Sequence, residues 1–334
     1  MPCPSFAVRF RPLGPWRFGP ESGARDRAGR VYHSDAVFSA VTAAMARLDL
    51  LDPWLDATAR RDQSESAVRF SSFFPFQRDT LFVIPPRSVW PPPPSAKVRY
   101  KSARFIPLSL VESLLAEQPL DDDRWMVDGE SECLLPADRP HSGPFRVTLR
   151  SNASVDRLDC GKIDVHSTAC LEFTRDSGLW TLVVFAGEDD REKWEAPVRS
   201  AFRLLADSGF GGERSRGWGR SQDPDWQPSP ASPSQTPESA WWLLSVYTAS
   251  ERDGIDWKRG SYSTVLRSGR IESPDHWGQA KPETRMLAEG SVLLAAAEAG
   301  PTGQATDIAP PGFPHPVFRA GFAVAWPIPW RPSS

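Results

Sequence analysis

The chain has 334 residues, of which 40% are hydrophobic and 24% charged, and its formal net charge is −3. These values exclude a disordered chain and a uniformly basic nucleic-acid-binding protein. They predict a soluble globular protein of about two domains, in which any contact with a nucleic acid is local. The 4 cysteines lack zinc-type spacing, and no run reaches the ~18 apolar residues of a membrane helix. We therefore expect a cytoplasmic protein with no membrane segment, no metal and no other cofactor.

The N-terminal part of the sequence predicts a strand, a long loop and a helix. From Phe6 to Pro12 apolar residues alternate with arginines, which indicates a half-buried strand. A Gly-, Pro- and Arg-rich loop follows. The helix begins near His33, with Ser34 or Asp35 expected as its N-cap and an apolar stripe from Val37 onward.

The middle of the chain predicts further strands and a short helix. The segment VRFSSFFPFQRDTLFVIPPR is typical of two strands around a turn at 77–79, and LSLVESLLAEQ indicates a short helix. Strand-like segments flank a polar stretch from Asn152 to His166. We expect this stretch to form an exposed arm.

A second amphipathic helix runs into the Gly- and Arg-rich stretch GFGGERSRGWGR at 209–220. Apolar residues recur at helical spacing from Trp194 to Leu205, so Gly209 is expected to end the helix. The stretch lacks the Gly-Lys-Ser/Thr ending of a P-loop and the spacing of a dinucleotide loop. Because it lies at the negative end of the helix dipole, an anion there would be held by glycine N–H groups and arginines, which suits a polyanion. The alternative is a helix cap whose arginines are only solvated.

The expected fold class is α+β, with two ferredoxin-like (RRM-like) domains, inserted loops and the Gly-rich loop. The first domain covers 1–222, carries the arm and ends in the Gly-rich loop. A Pro/Ser-rich linker or loop follows at 223–238, and a second, smaller ferredoxin-like domain covers 239–334.

Three separated motifs resemble one family. The stretches HSDAVFSAV at 33–41, SSFFPF at 71–76 and GFGGERSRGWG at 209–219 are similar, in this order, to the Csm-complex subunit 4 family of type III-A CRISPR effectors, within the RAMP superfamily. The pieces RSGRI, EGSVL and HPVFRAGFAVAWPI extend the resemblance over 6–329. Where relatives often carry Lys-Ser after the paired glycines, this chain has Glu213-Arg214-Ser215.

The resemblance implies a non-catalytic RNA-binding subunit that acts in antiviral defence. Such subunits hold the repeat-derived 5′ handle of the CRISPR RNA, bind the large polymerase-like signature subunit and abut the first RAMP backbone subunit. Phosphates and splayed bases are the groups that arginines and a close backbone would contact. In this sequence the implied RNA-binding residues are Gly209, Gly211, Gly212, Arg214, Ser215, Arg216, Gly217, Gly219, Arg220, His33, Ser34 and Arg157.

His33 carries the main alternative. A relative in the same superfamily cuts precursor RNA with a histidine near its first helix, and metal-independent cleavage needs a general base and an acid near the 2′-OH. His166 could supply the partner group. Three hypotheses therefore stand: an RNA-binding scaffold with no catalytic residue, an endoribonuclease that processes precursor CRISPR RNA with His33, and an adaptor that touches only proteins.

Overall fold

The computed structural model of the chain describes residues 3–19, 24–61, 65–90, 100, 102–138, 142–155, 163–231, 239–271, 278–297 and 300–330. Its helices are α1 (Ser34–Arg47), α2 (Leu51–Ala57), α3 (Leu108–Leu115) and α4 (Glu188–Ser208). Short 3₁₀ turns lie at Asp122–Arg124, Arg214–Arg216 and Glu251–Asp253.

The strands fall into an N-terminal and a C-terminal group. The first group is β1 (Ser5–Phe10), β2 (Val68–Phe70), β3 (Phe74–Gln77), β4 (Thr80–Val83), β5 (Ile106–Pro107), β6 (Trp125–Asp128), β7 (Cys133–Pro136), β8 (Phe145–Val155), β9 (Ile163–Phe173), β10 (Ser177–Phe185) and β11 (Asp225–Pro228). The second group is β12 (Ser239–Leu243), β13 (Ile255–Ser261), β14 (Thr264–Arg267), β15 (Thr284–Leu287), β16 (Val292–Ala295), β17 (Gly303–Asp307), β18 (Phe318–Phe322) and β19 (Ala325–Pro329).

The N-terminal sheet has the strand order β11-β1-β10-β3-β4-β5, with β2 also paired to β10. All of these pairs are antiparallel. The helices α1 and α4 pack together beside it, and Phe10 of β1 contacts Phe202 of α4 with their ring centroids 5.4 Å apart. The predicted turn at 77–79 is present, because β3 ends at Gln77 and β4 begins at Thr80. The α+β class predicted from the sequence is confirmed.

The start of α1 differs from the prediction. His33 is the N-cap, with an extended backbone, and its carbonyl oxygen accepts the N–H groups of Ala36 and Val37. Ser34 and Asp35 lie inside the first turn and are buried. They do not cap the helix because their side chains are used in contacts with the C-terminal part of the chain.

The predicted arm is a long antiparallel hairpin of β8 and β9. The two strands stay in register from Phe145 opposite Phe173 to Val155 opposite Ile163. One face of its outer half carries the exposed side chains of Leu149, Ile163 and Val165. The described part of the predicted arm is therefore a two-stranded antiparallel ribbon.

From residue 239 on, the chain consists mainly of antiparallel strands. A four-stranded sheet has the order β13-β16-β12-β19, while β14 with β15 and β17 with β18 form separate pairs. The described residues of this part include one 3₁₀ turn and no α-helix. A ferredoxin-like unit needs two helices on one face of its sheet. The ferredoxin-like detail of the predicted second domain is therefore not confirmed in the described residues, and the second ferredoxin-like domain stays a prediction.

The largest hydrophobic core joins the two parts of the chain. It contains Phe10 and Phe202 from the first part together with Trp242, Val292 and Ile328 from the second. The apolar faces on the two sides of 223–238 thus bury one another. The domain boundary at 223–238 stays a prediction.

Candidate nucleic-acid interface

The Gly-rich loop follows α4, and its glycines adopt backbone conformations that other residues avoid. Gly209 ends α4 with a φ of 79°, as predicted, and Gly211, Gly217 and Gly219 have φ values of 86°, 76° and 81°. At Gly219 a Cβ atom would lie 2.1 Å from a backbone oxygen, and at Gly211 it would lie 2.6 Å from the carbonyl oxygen of Arg17. The loop therefore requires glycine for its turns and for close approach of backbone segments.

Several N–H groups of this loop are already engaged within the protein. The donors and their carbonyl acceptors are Gly209 to Leu205, Gly212 to Arg17, Gly217 to Arg214 and Gly219 to Pro15. The expectation that glycine N–H groups contact phosphates is not met at these four positions. The positive charge that the loop offers to a ligand therefore comes from its arginine side chains and not from these four N–H groups.

The charge of Glu213 is balanced locally. Its backbone is left-handed, with a φ of 62°, and its carboxylate lies 3.0 Å from the guanidinium of Arg216. Arg216 also lies 3.4 Å from Nε2 of His166 in the hairpin arm. Ser215 and Arg220 are exposed. Of the three arginines of the loop, Arg214 is the one that lines the adjoining cleft.

A cleft of about 790 Å³ lies between the Gly-rich loop, the face of α1, the loop before α1 and the segment after β14. Among the described residues that line it, Asp35 is the one carboxylate. The basic side chains that line it are Arg17, Arg30, Arg47, Arg104, Arg214, Arg267, Arg270, Lys281 and Arg319. A protein with a net negative charge thus concentrates positive charge in one concave surface, which favours a polyanion.

The floor of the cleft includes a face of α1 with small side chains. Ala36, Ala40 and Ala43 line the cleft at helical spacing, and Arg47 continues the same face in the last turn. Small side chains let a strand approach the helix closely, and Arg47 and Arg104 are exposed at the cleft. This face is suited to an extended chain with charged groups rather than to a compact apolar ligand.

His33 lines the cleft and is held from behind by a buried carboxylate. Its Nδ1 lies 2.7 Å from Oε1 of Glu289, whose side chain is 2% exposed. The hydroxyl of Ser72 donates to the same oxygen, and Ser72 in turn accepts the N–H of Ser34. Burial opposes ionisation of Glu289, but His33 and the donated hydrogen bonds outweigh it and hold the pKa of Glu289 below its usual value.

Ser34 and Asp35 join α1 to the C-terminal part of the chain. The hydroxyl of Ser34 accepts the N–H of Val246, so Ser34 is buried and engaged within the protein, and its contact with RNA stays a prediction. Asp35 pairs with Arg267 at 3.0 Å and with Arg319 at 2.7 Å. Burial would raise the pKa of Asp35, but the two guanidinium groups dominate and lower it to about 2.

Three aromatic side chains of the N-terminal sheet are too buried to form the stacking surface that an RRM-like domain uses. Phe74, Phe76 and Trp180 are 0–1% exposed. Their burial leaves the cleft, rather than the sheet face, as the concave candidate surface.

The sequence-predicted site residues are only partly brought together. Gly211, Gly212, Arg214 and His33 share the cleft. His166 contacts Arg216 and does not line the cleft, and Arg157 lies outside the described residues. The candidate acid and base of the nuclease hypothesis are therefore not placed in one site.

Sequence reasoning missed the part of the cleft that comes from distant segments. Arg17, Arg104 and Lys281 carry no local motif, and Glu289 lies 256 residues after its partner His33. Three signals were present in the sequence: RSGRI contains Arg267 and Arg270, EGSVL begins with Glu289, and HPVFRAGFAVAWPI contains Arg319.

The described residues were compared with the requirements of a membrane-spanning helix and of a metal site. None of the helices among the described residues is long and apolar enough to cross a membrane. The same part of the chain has no group of three or more His, Cys, Asp or Glu side chains arranged to hold a metal ion.

The fold and the cleft define an α+β protein with a Gly-rich loop beside a cationic groove. Residues 236–328, less than a third of the chain, match the family model of the CRISPR Csm4 C-terminal domain. This match confirms the resemblance that was recognised from the sequence. No curated protein matches the sequence.

Solved structures extend the likeness to the whole fold. A chain of the Csm3-Csm4 subcomplex of the type III-A CRISPR-Cas interference complex is similar with a TM-score of 0.65 and 14% identity, over 98% of this chain and 100% of that one. A chain of the Csm1-Csm4 cassette in complex with cA4 is similar with a TM-score of 0.60 and 16% identity, over 99% and 100%. At these identities the likeness is one of fold.

Proposed function

We propose that this chain is a non-catalytic RNA-binding subunit of a cytoplasmic type III-A CRISPR effector complex. It holds the 5′ handle of the CRISPR RNA and docks the large signature subunit and a RAMP backbone subunit. The observation that carries the proposal is the cleft, where the Gly-rich loop and α1 meet a wall of basic side chains. A single-stranded RNA is a polyanion, and such strands are held by charged grooves that follow the backbone.

The composition of the cleft favours a ligand that is bound along its phosphate backbone over an apolar small molecule. Its volume of about 790 Å³ would hold a few nucleotides, and arginines provide the bidentate donors that phosphates take best. The exposed Arg47 and Arg104 have no ion-pair partner among the described residues. Binding phosphate there does not require breaking an internal salt bridge.

The proposal about protein partners rests on the complexes that contain the similar chains. The related chains come from a Csm1-Csm4 cassette and a Csm3-Csm4 subcomplex. We expect co-expression with the large subunit to give a stoichiometric pair on gel filtration, and addition of the backbone subunit to enlarge that pair. A chain that elutes alone beside both subunits would contradict this part of the proposal.

RNA binding is tested with a synthetic single-stranded RNA that carries a repeat-derived 5′ handle. Fluorescence anisotropy should show binding that weakens as the salt concentration rises. Absence of binding by the isolated chain and by its pair with the large subunit would refute the proposed function.

The second candidate is an endoribonuclease that uses His33. The carboxylate of Glu289 at 2.7 Å is the observation in its favour, because a buried carboxylate orients an imidazole for proton transfer. Labelled repeat RNA separates the two proposals. We expect no cleavage by the wild type above the background of His33→Ala, whereas a single cut made by the wild type alone would support the enzyme.

A further inference from the structure

Glu289 is a buried charged group that the RNA-binding proposal has not used. It belongs to the stretch EGSVL, between β15 and β16. The next residue, Gly290, has a φ of 83°, and a Cβ there would lie 2.8 Å from the carbonyl oxygen of Pro85. The N–H of Gly290 donates to Leu243 and its carbonyl accepts from Arg87. The backbone at Gly290, next to Glu289, is therefore held by hydrogen bonds at both its N–H and its carbonyl group.

The hydrogen bonds around Glu289 fix the orientation of His33. The N–H of Ser34 donates to the hydroxyl oxygen of Ser72, and that hydroxyl donates its one proton to Oε1 of Glu289. An ionised carboxylate only accepts hydrogen bonds, so Nδ1 of His33 must carry the hydrogen of the 2.7 Å contact. Nε2 is then the ring nitrogen left over, and among the described residues it has no hydrogen-bond partner.

The position of the ring gives this orientation a function. The His33 side chain is 12% exposed and lines the cleft, while Glu289 is 2% exposed and does not line it. The carboxylate therefore cannot reach a bound strand itself. Glu289 can act on the strand only through the imidazole ring of His33, because the ring binds Glu289 through Nδ1 and leaves Nε2 for the strand.

We propose that Glu289 is a positioning residue for RNA recognition, which holds His33 so that Nε2 makes a polar contact with the ribose-phosphate backbone of the bound strand. The inference rests on the proposed function, because it needs an RNA in the cleft. The contacted group is either a ribose 2′-hydroxyl, which can donate to Nε2 of the neutral ring, or a phosphate oxygen, which accepts a hydrogen bond from Nε2 of the imidazolium. A 2′-hydroxyl contact distinguishes RNA from DNA, whereas a phosphate contact does not.

The same contacts would also stabilise the fold, so the test has to separate the two roles. Ser72, Ser34 and Glu289 tie α1 to the C-terminal strands, and loss of that tie alone would lower the unfolding temperature without a specific effect on RNA. A double-mutant cycle isolates the coupling between two residues. The cycle uses His33→Ala, Glu289→Gln and the double variant, in the full chain paired with the large subunit.

Handle RNA affinity is measured for the four proteins by fluorescence anisotropy, and unfolding temperature is recorded for each. We expect His33→Ala to weaken binding roughly 5- to 10-fold, as for one lost hydrogen bond to a charged or hydroxyl group. Glu289→Gln should weaken binding by a similar factor in the wild type and by less than 2-fold in the His33→Ala background. Equal losses in both backgrounds would refute a role through His33.

Two controls keep the result interpretable. Glu112→Gln makes the same chemical change at an exposed position on α3, and Ile328→Val mildly destabilises the buried core; neither residue lines the cleft. Both should leave RNA affinity unchanged. If Ile328→Val weakened binding as much as Glu289→Gln at a comparable loss of stability, the positioning role would be overturned.

RNA chemistry then distinguishes the two contacts. Single 2′-deoxy substitutions along the handle should reproduce the loss at one nucleotide in the wild type and have no effect there in His33→Ala, if the contact is to a 2′-hydroxyl. If no 2′-deoxy position does so, a methylphosphonate at one linkage should show the same pattern. Failure of both series would refute the backbone contact. A wild type that does not bind the handle would instead refute the proposed function.

Discussion

Two glycines of the loop have the same backbone strain but different surroundings, which makes them a matched pair. Gly211 and Gly217 have φ values of 86° and 76°. A Cβ at Gly217 would meet nothing within 4 Å, whereas at Gly211 it would lie 2.6 Å from the carbonyl oxygen of Arg17. That oxygen also accepts the N–H of Gly212. Substitution at Gly211 thus displaces backbone, and substitution at Gly217 does not.

The expected magnitudes follow from these contacts. Gly217→Ala should lower the free energy of unfolding by about 1 kcal/mol, the cost of a left-handed residue with a Cβ. Gly211→Ala adds the steric overlap and the weakened hydrogen bond to Arg17, for a total of about 3 kcal/mol. Urea unfolding of the two variants measures the difference directly. Equal losses of stability would refute the claim that the carbonyl of Arg17 constrains the loop.

The same pair should differ in RNA binding. The guanidinium of Arg17 donates to the carbonyl oxygens of Ala24, Arg25, Arg27 and Ala169 and so organises the loop that forms one wall of the cleft. A shift of Arg17 in Gly211→Ala should therefore weaken handle binding, while Gly217→Ala should retain it.

Two further predictions concern charged groups. Arg214→Ala should weaken handle binding more than Arg216→Ala, because Arg214 lines the cleft while Arg216 is exposed and paired with Glu213; equal effects in anisotropy titrations would contradict this. The pKa of the Asp35 carboxyl group is about 2 in the folded protein, whereas its reference value is 3.8. The ionised carboxylate therefore stabilises the fold by about 2 kcal/mol above a pH of about 4, and this stabilisation is lost as the pH falls toward 2. Asp35→Asn should be destabilised near neutral pH by about 3–5 kcal/mol, because Arg267 and Arg319 lose their buried partner, and its stability should fall less steeply with acid. An Asp35→Asn variant with the same acid profile as the wild type in urea titrations would contradict the pairing.

Local periodicity and glycine chemistry were sufficient to predict part of the fold. The helical spacing from Trp194 to Leu205 and the cap at Gly209 are local features, and both are present in α4. The turn between β3 and β4 could also be predicted from the sequence, because polar residues separate two apolar runs. These elements depend on interactions within a few residues, which a single sequence displays.

The cleft could not be predicted because it depends on pairing over long sequence distances. Asp35 bonds to residues 232 and 284 positions away, and His33 to one 256 positions away. Serine is a residue type that often caps helices, yet the hydroxyl of Ser34 accepts a tertiary hydrogen bond from the N–H of Val246. No periodicity encodes such contacts, so the sequence predicted the loop and His33 but not the residues that face them across the cleft.

The most direct test of the central claim is the salt dependence of handle binding when exposed charge is removed from the cleft. The variant Arg47→Ala with Arg104→Ala removes two exposed arginines that line it, and Arg175→Ala with Arg203→Ala removes two exposed arginines that do not. Each phosphate contact on single-stranded RNA contributes a slope of about −0.7 in the plot of log affinity against log salt. We predict that the cleft variant binds more weakly and with a slope smaller in magnitude by about 1.4, while the control keeps the slope of the wild type. The same slope and affinity in the two double variants would contradict the assignment of the cleft to RNA.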